Sequence, residues 1–179
     1  MFRLITLITL LACGVLSFLS WVMPYLFSHW YSGSNSYRIS YGNFQSTCTG
    51  DPCSNPWIYQ SMKLSDWKDQ DKDVYNGLCA NIAMTLIGFI IFVASLFLLF
   101  KKSGITHLVF VTGGIFVFIG IMVFVGKFQN SKTHDYWEHS HETNSDYHWS
   151  YSASTAFSII VFIVSLPGAF FALKAKSED

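Results

Sequence analysis

The chain has 179 residues, a formal net charge of zero, 51% hydrophobic residues and 12% charged ones, where an ordinary soluble domain carries about 25%. Asp, Glu, Lys and Arg are absent between Arg3 and Arg38, Asp73 and Lys101, Lys102 and Lys127, and Asp146 and Lys174. That distribution describes a membrane protein and excludes two classes: a nucleic-acid binder, for want of a basic excess, and a bundle carrying a sizeable soluble enzyme domain.

Each charge-free stretch holds an apolar run of about 20 residues, the length that crosses a hydrocarbon core. In chain order the spans fall at about 4–25, 78–100, 105–125 and 153–173. They leave outer loops at 26–77 and 126–152, a cytoplasmic turn at 101–104 and a short cytoplasmic tail at 174–179, all within one tetraspan domain covering 1–179. The spans are helices, because a backbone in lipid must satisfy its own hydrogen bonds, and the runs lack the alternation of a barrel strand. The first run, with Leu11-Ala12-Cys13-Gly14, also has the outline of a cleaved signal peptide. Its apolar character continues through Phe27, too long for a signal core, so a retained helix with Cys13 packed inside it is expected.

Basic residues set the orientation. Arg3, Lys101, Lys102, Lys174 and Lys176 fall on one side, opposed there only by Glu178 and Asp179, while six basic residues meet nine acidic ones on the other. Both termini are therefore expected in the cytoplasm, with about +3 inside against −3 outside. Small residues recur every seventh position in three spans: Asn81, Gly88 and Ser95; Thr106, Gly113 and Gly120; Ser158, Ser165 and Ala172. A seven-residue repeat makes a continuous close-approach seam and predicts a left-handed bundle. No Asp, Glu, Lys or Arg lies within a span, and His107, near one end of the third, is the single histidine there. A self-contained pump or transporter is not expected from such a pattern.

In the first outer loop, Tyr37–Tyr41 and Asn43–Cys48 are aromatic and β-branched, separated by Gly42, and read as two short antiparallel strands. Cys48 and Cys53 follow with Gly50, Asp51 and Pro52 between them as turn chemistry. On the oxidising side of a membrane a disulfide closing this loop is the economical assignment. A metal pair lacks a second Cys or His pair nearby, and Cys79 at the mouth of the second span is the other candidate partner. Pro56 through Tyr75, rich in Asp and Lys around Trp67, reads as an interfacial lead into the second helix.

The second outer loop gathers His134, His139, His141 and His148 among Asp135, Glu138, Glu142 and Asp146. Imidazole and carboxylate are suitable ligands for zinc or copper, and an extended Glu138–Glu142 would turn both its imidazoles to one side. The same cluster gains positive charge near pH 6, which would suit a pH sensor. The plainer alternative is a solvated polar loop.

Four spans, a large first outer loop with a Cys pair and a short second loop resemble the claudin, peripheral myelin protein and epithelial membrane protein superfamily. Trp30, then Gly42-Asn43-Phe44, then Cys48 and Cys53 are similar to that family's Trp, Gly-Leu-Trp, Cys, Cys signature, with Phe44 in the place of its second Trp. Trp149-Ser150-Tyr151, Ala156-Phe157 and Leu166-Pro167-Gly168 are similar to the run that opens the last helix in the myelin and epithelial branch. The resemblance implies a membrane all-α fold: a left-handed four-transmembrane-helix bundle with a small extracellular antiparallel β-sheet from the first outer loop, fastened by the Cys pair. The tail Lys176-Ser177-Glu178-Asp179 lacks the hydrophobic last residue that PDZ scaffolds read, so no such partner is expected.

No nucleophile elbow, Gly-rich phosphate loop or His-Glu-x-x-His motif occurs, and no cofactor and no enzymatic activity are expected. Seven asparagines form no glycosylation sequon. The expected partners are the lipid bilayer and, laterally or across membranes, the protein itself or other membrane proteins. The reading that follows is a claudin-like structural protein of the plasma membrane, mediating lateral or cell–cell contacts through its outer loops. An accessory, gamma-type subunit of a channel or receptor is the alternative.

Overall fold

The computed structural model describes residues 1–32, 35–42, 46–49, 63–143 and 147–176. The elements in order are α1 (Phe2–Val22), β1 (Leu26–Ser32), β2 (Asn35–Tyr41), β3 (Ser46–Thr49), α2 (Leu64–Gln70), α3 (Lys72–Phe100), α4 (Thr106–Gln129), α5 (Lys132–Thr143), β4 (Tyr147–Tyr151) and α6 (Ala153–Lys176). Helices α1, α3, α4 and α6 are long and apolar enough to cross a membrane. The chain divides into two compact units. One holds Met1–Trp21, Asn81–Met122 and Ala156–Asp179, and the other Val22–Ala80 and Val123–Thr155.

Among its described residues the first unit is made of helix and the Lys101–Ile105 turn. Its buried positions step by four and three residues: Thr6, Leu10, Cys13, Ser17 and Ser20 on α1, and Asn81, Thr85, Gly88, Phe92, Ser95 and Leu99 on α3. On α4 the buried row is Thr106, Phe110, Gly113, Val117 and Gly120, and on α6 it is Ser158, Val161, Ser165, Gly168, Ala172 and Ala175. A 3.5-residue repeat is the signature of helices wound left-handedly about one another. Each of the three expected seams is the small-residue half of such a row. The fourth helix has its own, Thr6, Cys13 and Ser20, which the sequence reading passed over.

Small residues are where the backbones meet. A methyl group on Gly88 of α3 would stand 2.6 Å from Val117 Cγ2 and 2.9 Å from the Gly113 carbonyl of α4, and one on Gly114 would collide with Ser165 of α6. The circuit closes from α6 to α1, where Ser20 and Ser158 share a 2.8 Å hydrogen bond and Cys13 packs on the Val161 carbonyl at 3.9 Å. Larger side chains fill the layers between: Phe92 and Phe110 meet edge to face at 5.7 Å, and Phe118 stacks on Phe162 at 4.5 Å. Outward, Leu4, Ile8, Leu11, Val15 and Phe18 of α1 are exposed, as lipid-facing side chains must be.

The second unit is built on a four-stranded antiparallel sheet of order β3-β2-β1-β4. The expected pair of strands is present as β2 and β3, with Ile39 opposite Cys48. Two further strands extend it. β1 starts where the first outer loop was expected to start, and the first span, expected to reach Tyr25, ends as helix at Val22, just before Pro24. A proline has no N–H to donate and disfavours helix at the residue before it. β4 brings the second outer loop into the sheet, pairing Tyr151, Trp149 and Tyr147 with Leu26, Ser28 and Trp30.

Candidate functional site

The residues between α4 and α6 form a short helix and a strand around a cluster of rings. Ser131 starts α5: its hydroxyl accepts the His134 N–H at 3.1 Å, which supplies a cap to the exposed first turn. The helix that follows corrects the expected extended Glu138–Glu142 segment, because all five residues lie in α5.

Helix and strand converge on Phe128, the fully buried last aromatic of α4. Its ring meets His134 at 5.4 Å, Trp137 at 5.5 Å, Trp149 at 5.6 Å and Tyr151 at 6.2 Å, all edge-on, and stacks with Phe124 at 6.1 Å. Trp149 in turn touches His134 at 5.3 Å and Tyr151 at 5.7 Å. Tyr25, at the foot of β1, packs on Phe124 at 5.4 Å, and its carbonyl accepts the Ser152 N–H at 2.9 Å. Edge-to-face pairs are each worth about 0.5–1.5 kcal/mol beyond the area they bury. Their sum fixes β4, α5 and the end of α4 as one body. Burial pushes the Tyr151 hydroxyl above the usual phenol range, offset in part by Gln129.

A buried carboxylate ties the other half of the unit. Asp71 lies between α2 and α3, and its Oδ1 accepts the Asp73 and Val74 N–H groups at 3.1 and 3.3 Å, capping α3. Its Oδ2 accepts the N–H and the hydroxyl of Thr133, both at 2.8 Å, in the first turn of α5. Burial alone would raise this carboxyl, but the Thr133 hydroxyl and N–H and then the Val74 and Asp73 N–H groups outweigh it and hold it below the usual range. Nearby Lys127 of α4 bridges Asp73 at 2.9 Å. The Asp71 clamp escaped the sequence reading, although a helix-capping Asp before Lys72 was the available signal.

The described members of the expected ligand set are spread over α5 and β4. His134 is inside the ring cluster, with Glu138 at 3.5 Å from Nε2 and Asp135 at 3.9 Å from Nδ1. His139 is exposed on α5 and His148 is exposed on β4, while the His141 side chain lies outside the described residues. Among the described residues no three His, Cys, Asp or Glu side chains are placed to hold a metal. Trp149, Ser150 and Tyr151, just before the expected last span, form β4, and the helix begins at Ala153. Trp30 is in β1 and Gly42 directly follows β2, whereas Phe44 and Cys53 lie outside the described residues. Cys48 is in β3, and Cys13 and Cys79 are free thiols in α1 and α3.

The family profile described as PMP-22/EMP/MP20/Claudin matches residues 1–171. The chain belongs to the PMP-22/EMP/MP20/Claudin family. The match spans every element from α1 to the body of α6, so the chain has the family's tetraspan fold. No individual curated protein matches the chain. As a member of this family it is a multi-pass membrane protein of the structural or junctional kind.

Proposed function

We propose that this claudin-type protein is a non-enzymatic contact protein of the plasma membrane, with its termini in the cytoplasm. Its two outer loops engage neighbouring copies or other membrane proteins, laterally or between cells. The observation that carries the reading is the joining of both loops in one sheet through β4, locked by the Phe128 ring cluster. A sheet fixed in this way presents a preformed surface, which lowers the ordering cost of binding. The Cys48–Cys53 disulfide belongs to the same proposal: it would staple the β3 edge, and the free state of Cys13 and Cys79 supports the pairing.

Co-purification tests it. Two differently tagged copies expressed in one cell line should capture each other from mild detergent. Capture of one dominant channel with no self-capture would favour the accessory-subunit role and count against the contact role.

A further inference from the structure

Small residues shut the seams of the helical unit where Gly88 and Gly113 bring α3 onto α4, Gly114 and Ser165 bring α4 onto α6, and Ser20 and Ser158 join α6 to α1. Between α1 and α3 a cleft remains. One part of it, about 230 Å³, is lined by Leu10 and Gly14 of α1 and by Phe92 and Leu96 of α3. The other, about 140 Å³, is lined by Ser17 and Trp21 of α1 and by Thr85 of α3. Phe89 borders both parts, with its ring 6.5 Å from that of Phe18. Gly14 gives the cleft its depth, because a methyl group there would meet nothing within 4 Å. Its rim opens towards lipid, since the lining residues Leu11, Val15, Leu86 and Val93 are exposed.

One end of this apolar cleft is polar. Ser17 Oγ is fully buried and has no hydrogen-bond partner among the described residues. Thr85, on the same stretch of wall, donates its hydroxyl proton to Asn81 Oδ1 at 3.4 Å, which leaves the Thr85 oxygen as an acceptor. A hydroxyl without a partner inside a membrane is costly. The group that serves both walls accepts from Ser17 and donates to Thr85, and that group is another hydroxyl. The lining of either part carries no ionisable side chain, so a charged headgroup finds no counter-charge there.

We infer that the cleft is the binding site of a sterol, a lipid with a rigid fused-ring body and a single hydroxyl. The hydroxyl lies with Ser17 and Thr85, and the ring body lies over Gly14 against Phe89 and Phe92. From Trp21 to Leu10, at about 1.5 Å per residue, the cleft runs roughly 16 Å. That is about half of a hydrocarbon core, the depth of one leaflet. A rigid body has no chain entropy to lose on entry, whereas an acyl chain must be ordered to fill the same space. An acyl chain also leaves Ser17 without a partner.

The test is photolabelling of the purified full-length protein in phosphatidylcholine vesicles by a diazirine-bearing cholesterol analogue, with the labelled residues mapped by mass spectrometry. Label is expected on α1 from Leu10 to Trp21 and on α3 from Thr85 to Leu96. Cholesterol should compete, and its methyl ether, which has no proton to donate to Thr85, should compete about fivefold less well. Ser17→Ala should lower labelling about fivefold while the protein melts at the same or a higher temperature, because an unpartnered buried hydroxyl is gone. Gly14→Leu should fill the cleft and abolish labelling there with the melting temperature kept. Leu108→Ala, on the exposed face of α4, should change nothing. Label spread evenly over the lipid-facing helices, equal competition by the methyl ether, or wild-type labelling of Ser17→Ala would overturn the site. A diazirine phosphatidylcholine that labels the cleft as strongly and is not displaced by cholesterol would overturn it too, and assign the cleft to an acyl chain.

Discussion

Asp71 shows how one side chain can organise a loop. Its two oxygens serve different helices, one capping α3 and the other holding Thr133 in the first turn of α5. Asp71→Ala leaves buried N–H groups without an acceptor on both, and should lower stability by about 2–3 kcal/mol, read as a fall in the melting temperature of the purified protein. Asp71→Asn keeps a cap and should cost less. Because the folded carboxyl titrates below its unfolded value, its contribution is complete above about pH 4 and is lost as pH falls through the lowered value. Acid unfolding of wild type should therefore steepen there, and Asp71→Asn should flatten that limb. His134 makes a complementary point. Four histidines in a short acidic run suggest ligands by composition, but helix α5 turns His134 into the ring cluster and His139 away from it. Composition reports which chemistries are affordable, and only the backbone period decides which side chains meet.

At the scale of elements, two kinds of packing do the work. Between membrane helices the small residues set the approach, and Gly88 is a clear case, where an added methyl would stand 2.6 Å from Val117 and 2.9 Å from the Gly113 carbonyl. Gly88→Ala should cost about 1–3 kcal/mol through overpacking, measured as detergent thermostability, whereas Gly14→Ala, facing open space, should be close to neutral. In the loop unit rings do the equivalent work. Trp149→Ala removes contacts to Phe128, His134, Trp137 and Tyr151. It should cost about 3 kcal/mol and raise amide exchange at 147–151 and 26–30 together. Cys48→Ser should cost about 2–4 kcal/mol if the proposed staple closes, and labelling of both Cys48 and Cys53 by a thiol reagent in the native protein would contradict it. The spans and seams were legible because a 20-residue apolar run and a seven-residue repeat are dense, local signals. The edges of the sheet were not. β1 follows the apolar run of the first span after only three residues, and Tyr147-His148-Trp149-Ser150-Tyr151 alternates with strand period but is only five residues long. Its partner lies more than a hundred residues earlier, and nothing local announces that pairing.

For the whole molecule, the neutral net charge conceals a division of labour. The helical unit carries only basic charge among its described residues, and the acidic residues described all belong to the loop unit. That asymmetry favours one orientation in a membrane. The fold and the family were readable from the chain because they rest on long, repeated features. The proposed contact surface was not, because it depends on β4 joining two loops that the sequence keeps apart. The central claim is that this joined surface makes contacts, and the most direct measurement is where the protein goes when cells touch. Non-adherent cells expressing a fluorescent copy should be mixed with unlabelled expressing cells and with non-expressing cells. Enrichment of the label at borders between two expressing cells, weakened by Trp149→Ala at equal surface level, is the expected result. An even distribution over the surface at every border would contradict it.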